Sequence, residues 1–88
     1  MEIDINRLAE LTEHLTPISD MALLLDIPEG ELRDAISDET HPVCIAYRKA
    51  KAQLMLAIRK QDLELAEAGS PSAADAVRSH LLKMQMDE

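Results

Sequence analysis

Five cations make the strongest chemical pattern in the sequence: Arg48, Lys49, Lys51, Arg59 and Lys60. Arg48 and Arg59 stand eleven residues apart, about three helical turns, and so share a face of any helix that contains both. Lys49 and Lys60 repeat that spacing about 100° further round, and Lys51 falls near the first pair. On a helix this is a basic ridge about 16 Å long, a length that follows part of a phosphate backbone. The alternative is the polar side of an amphipathic helix whose cations pair with Asp62 or Glu64. Tyr47 is the only aromatic, too few for a base-stacking platform for single strands.

The other reactive residue types form no constellation. His14, His41 and His80 stand alone, without a second ligand at metal-binding spacing, so no metal is expected. His41 reads as a helix cap and the other two as solvent-facing helix positions. Cys44 sits at the start of a helix; His41, three residues before it, reads as a cap, and an ordinary buried or half-buried thiol is the expectation. Gly30 and Gly69 are lone glycines and cradle no phosphate. Asp20, Asp26, Glu29 and Glu31 follow no calcium-loop spacing; they are a solvated acidic surface or a protein-docking patch. The expectation is a protein with no catalytic residues and no cofactor.

Composition sets what can position these groups. The 88 residues fit one domain that buries about 60–65% of its unfolded surface. Hydrophobic residues at 47% allow a core, and with two glycines and few β-branched residues that core is helical. No apolar run approaches the roughly 20 residues that cross a bilayer, so no membrane partner is expected. A single cysteine and an acidic amino terminus without a signal-peptide core point to the cytoplasm. Residues 1–40 hold two basic against eleven acidic residues, a balance of -9, and residues 41–88 hold seven against six, a balance of +1. Any attraction to an anion therefore comes from the second half.

Ile5, Leu8, Leu11 and Leu15 mark one face of a helix over 5–15, with Asp4 as N-cap and Thr16-Pro17 as its stop. Thr16 also reads as the cap of the next helix, with Pro17 at its first position, running through Leu25 and breaking at Asp26-Ile27-Pro28. A third helix spans about 29–37 and buries Leu32 and Ile36. His41 or Thr40 caps the fourth, which Pro42 opens and which runs uninterrupted from Val43 through Ala68 to Gly69. Ser70 caps the fifth helix, Pro71 opens it, and Ala74, Val77, Leu81 and Met84 mark its face, so the last two helices form an αα-hairpin. The fold class is all-α with about five helices in a single domain, 1–88: a helix-turn-helix unit over 4–40 and a helical hairpin over 42–86.

The stretch from Ser19 to Ile36 resembles the helix-turn-helix family. Ala22 is the small residue where two helices cross, Ile27 fills the turn from inside, and Leu32 and Ile36 anchor the second helix. It departs from the family at Asp26, where glycine is usual; Asp takes that conformation at modest cost. Together with Ala46-Tyr-Arg-Lys-Ala-Lys-Ala52, Leu65-Ala-Glu-Ala-Gly-Ser70 and a final helix, most of the chain looks like the small terminase subunits of tailed phages. That resemblance implies double-stranded DNA, a homo-oligomer and a packaging motor or other protein as partners.

In a helix-turn-helix the second motif helix enters the major groove. Here Glu29, Glu31 and Asp34 surround Arg33 in that helix, and a duplex repels such a charge balance. Arg33 either pairs with a guanine edge, with Ser37 on a phosphate, or bridges to Asp34 or a neighbouring carboxylate on a solvated face. The long helix carries two apolar stripes, and Ile45, Leu56 and Leu63 of the second are candidates for a subunit contact. The alternative is that five helices of one chain cover both. Two functions remain: a self-associating DNA-binding or DNA-packaging accessory protein, and a non-enzymatic interaction module whose acidic helix-turn-helix surface docks a basic partner. Mimicry of DNA by the acidic face is a third, resting on charge alone.

Overall fold

Asp4 starts the first helix by its side chain: Oδ1 accepts the backbone N–H of Arg7 at 3.1 Å, satisfying one of the donors that a helix start leaves free. From this cap the computed structural model, which describes residues 2–87, runs through five helices. They are α1 (Ile5–Glu13), α2 (Ile18–Leu24), α3 (Glu29–Ser37), α4 (Pro42–Glu67) and α5 (Pro71–Asp87), and among the described residues there is no strand. The fold class is all-α, as the periodicity predicts.

Three helices end in one motif. After α1 the Thr16 N–H donates to Leu11 O and the Leu15 N–H to Thr12 O, with Leu15 in the left-handed region at φ 62°. Ile27 and Asp26 make the same pair of bonds, to Ala22 and Leu23, with Asp26 at φ 57°. Ser70 and Gly69 repeat it after α4, with Gly69 at φ 98°. This is the Schellman arrangement, which favours glycine at the left-handed position. The chain supplies glycine only the third time; Asp26 is the departure from the helix-turn-helix pattern seen in the sequence.

Two sequence expectations change at the first of these ends. α1 stops at Glu13, and Leu15, turned out by its positive φ, is 71% exposed and leaves the apolar face. Thr16 does not cap α2: the helix begins at Ile18, so Pro17 takes the cap position without a side-chain bond and Thr16 stands one residue too early, its N–H closing α1. Leu15→Gly is expected to stabilise the fold by about 0.5–1 kcal/mol, because it relieves a left-handed leucine and gives up little buried surface. A lower urea midpoint for that variant would show that the Leu15 side chain packs.

The chain divides into two compact units, Met1–Leu54 and Met55–Glu88, and the boundary falls inside α4. The first unit has the hydrophobic core: Leu8, Met21, Ala22, Leu32, Ala35 and Val43 are buried. Ile3, Leu11, Ile18, Leu25, Ile27, Ile36, Ala46 and Tyr47 pack round them half-buried. Ala22 is 3% exposed, in keeping with a close helix crossing. α3 has the span expected, but its second buried residue is Ala35; Ile36 is half-buried. Thr12, buried in α1, has its hydroxyl 2.8 Å from Leu8 O, to which it donates, and 3.6 Å from Met21 Sδ, so the one buried polar side chain among the described residues is satisfied.

Between α3 and α4, Asp38 accepts the Thr40 hydroxyl at 2.8 Å and the Thr40 N–H at 3.0 Å. The hydroxyl bond first, then the backbone bond, with nearby His41 adding, hold its carboxyl below the ordinary value. A depressed carboxylate contributes stability that is present above the unfolded-state pKa, near 4, and is lost as pH falls through the folded-state value. Unfolding curves across that acid window are expected to flatten in Asp38→Asn; equal pH slopes in both proteins would contradict the assignment. His41 caps α4 as expected, with Nδ1 accepting the Val43 N–H at 3.0 Å.

The second unit is an antiparallel hairpin of the last part of α4 and α5. Gly69 ends one helix, and Ser70 Oγ accepts the Ala73 N–H at 3.3 Å to start the other, with Pro71 at the first position.

Candidate functional site

Helix α3 presents its polar face as carboxylates. Glu31 and Asp34 are exposed, and Arg33 Nε donates to Glu29 Oε2 at 3.0 Å across one helical turn. The side chains of this pair are 53% and 47% exposed, so it contributes only a few tenths of a kcal/mol, yet it occupies the one cation of the helix. Arg33 forms the intrahelical bridge with Glu29 rather than with Asp34. Ser37 is exposed at the last position of α3 and makes no side-chain hydrogen bond among the described residues.

The cations of α4 stand differently. Arg48, Lys49, Lys51 and Lys60 are exposed, and Arg59 is half-buried. Among the described residues three ion pairs form, Arg33–Glu29, Arg78–Asp75 and His80–Asp62, and none uses a cation of α4. Lys51 Nζ lies 5.3 Å from the Tyr47 ring centroid, a cation–π contact that holds the stem and leaves the ammonium in water. Arg48, Lys49 and Lys51 belong to the first unit, and Arg59 and Lys60 to the second.

Asp62 is engaged elsewhere. Its Oδ2 lies 2.8 Å from His80 Nε2 across the hairpin, with both side chains 23% exposed. His80 is therefore not the solvent-facing residue expected from its isolation, and Asp62 does not serve the α4 cations.

Beside this pair, α4 and α5 enclose a groove of about 540 Å³. Met55, Leu63, Val77, Leu81 and Met84 supply its apolar lining, and Arg59, His80, Lys83 and Asp87 its polar groups. The candidate contact residues Ile45, Leu56 and Leu63 are 57%, 61% and 50% exposed. Leu56 and Leu63 lie in the second unit and Ile45 in the first. The fifth-helix face is only partly covered: Ala74 and Val77 are half-buried, while Leu81 and Met84 are exposed.

Cys44 is a buried free thiol, and among the described residues no three His, Cys, Asp or Glu side chains gather as a metal site. No helix among them is long and apolar enough to cross a membrane. No protein-family model matches the chain, and comparison with curated proteins and with solved structures finds no match.

Proposed function

We propose that this chain is a non-enzymatic, self-associating DNA-binding accessory protein, with a role like that of the small terminase subunits of tailed phages. The observation that carries the reading is the contrast between two helices: α4 holds exposed cations free of carboxylate partners among the described residues, while the cation of α3 is tied to Glu29. Phosphate contact then falls to Arg48, Lys49 and Lys51 in the first unit, with duplex DNA held by charge rather than read by α3. A net charge of -8 opposes approach by any other face. A packaging motor or another protein is the partner that such an accessory role implies.

The same Arg33–Glu29 pair favours one competing reading. With Arg33 engaged, Glu31 and Asp34 form an uncompensated acidic face that suits a basic protein partner. Titration of a fluorescent duplex at roughly 50 and 200 mM salt separates the two. Binding that weakens steeply with salt supports the DNA reading. Absence of binding at both salts overturns it and leaves the acidic face of α3 as the functional surface.

A further inference from the structure

A hairpin of two helices has one seam to bury, and this one buries little. Ala73, at 5%, is the one buried side chain described in the second unit. Leu63, Leu81 and Met84, which line the groove, remain 50%, 48% and 57% exposed. Helices of this kind reach stability when a second layer covers the apolar face.

We propose that the covering layer is the same hairpin of a second copy, two hairpins closing face to face into a four-helix bundle about a twofold axis at Leu63. This rests on the self-association in the function proposed above and is independent of DNA.

The charges along α4 select a second copy over another occupant. Leu56, Arg59, Leu63 and Glu67 fall within about 40° of Leu63 round the helix. A twofold axis at Leu63 runs the two α4 segments antiparallel, which brings Leu63 against its own copy. It also brings Arg59 of each chain level with Glu67 of the other, so one contact yields two opposite-charge pairs, as an isologous interface requires. Within one chain the two residues are eight apart, about 12 Å along the axis, too far to pair with each other. The unit as a whole suits self-contact as well, holding four basic and six acidic residues against five and eleven in the first unit. A two-helix face about 20 Å wide and 20–25 Å long covers roughly 400–500 Å² per copy, so the pair approaches the roughly 1,000 Å² of a small specific interface.

Sedimentation velocity on the full chain, without DNA, tests this. The wild type is expected at twice the 9.8 kDa chain mass. Leu63→Asp, Arg59→Glu and Glu67→Arg each are expected to weaken dimerisation at least about tenfold, through a buried charge or through like charges brought level. Helicity by circular dichroism is expected to hold, since none of the three positions is buried. The deciding sample is an equimolar mixture of Arg59→Glu and Glu67→Arg chains: every cross-pair is again opposite in sign, and the dimer mass is expected to return.

Recovery in the mixture supports the twofold arrangement even if Leu63→Asp fails to fold. A wild-type monomer at all concentrations overturns both the interface and the self-association. A dimer that resists all three substitutions, or a mixture that stays monomeric, overturns this interface alone. Neither result bears on DNA binding, which the duplex titration reads separately.

Discussion

Leu32→Ala is expected to remove about 2–5 kcal/mol of stability, enough to unfold much of the first unit. Leu32 is fully buried in a cluster with Leu8, Met21, Ala22, Ala35 and Val43. That cluster holds no aromatic side chain, so the loss of one leucine removes a large share of its buried apolar surface. At about 0.05–0.15 kcal/mol per residue, a unit of this length has roughly 3–8 kcal/mol in total, and the substitution takes at least about a quarter of it. Leu23→Ala on α2 is the control: Leu23 is 76% exposed, and its loss is expected to stay within about 0.5 kcal/mol of wild type. Urea unfolding followed by circular dichroism measures both. A Leu32→Ala protein within about 1 kcal/mol of wild type would be incompatible with the core described.

Reversing Arg48 and Lys49 to Glu is expected to weaken duplex binding by at least about tenfold and to flatten its salt dependence. Each phosphate contact accounts for about a 3.5-fold loss of affinity between 50 and 200 mM salt, so the three contacts of the first unit give about 40-fold and the one left after reversal about 3.5-fold. The new carboxylates add repulsion to this loss. Both side chains are exposed, so the fold is expected to tolerate the change. Arg33→Ala, which breaks the Glu29 bridge on α3, is expected to change affinity far less. The opposite ranking, with Arg33 dominant, would move the DNA face to α3. Unchanged binding in both variants would exclude α3 and this part of α4 together.

Most of what was legible in advance is local. Asp4, His41 and Ser70 act as caps because a short polar side chain before a helix meets a free N–H two or three residues on, whatever the rest of the chain does. Gly69 ends α4 in the left-handed region for the same kind of reason. Thr16 falls one residue short of the α2 cap because the helix begins at Ile18 rather than Pro17, while its N–H closes α1 on Leu11. Leu15 has the spacing of a helical face yet leaves it, because the turn that ends α1 places it in the left-handed region, where leucine is rarely found.

At the candidate site the division is similar. The cations of α4 were visible as a pattern, since residues eleven apart share a face by helix geometry alone. Their freedom from carboxylates was not, because it depends on Asp62 reaching His80 across the hairpin, a contact eighteen residues long. The choice of Glu29 over Asp34 by Arg33 lies between: a partner four residues back is reachable on a helix, whereas an adjacent residue points to another side.

Helix type, number and approximate ends, and the placing of net negative charge in the first forty residues, are properties of the sequence itself, since propensity, capping and charge act over a few residues. Only tertiary structure decides which apolar side chains are covered. Leu32 and Leu63 are the same residue type on helices of similar pattern, yet one is fully buried and the other half exposed. The difference is whether another helix of the chain lies against that face, and no local rule carries that information.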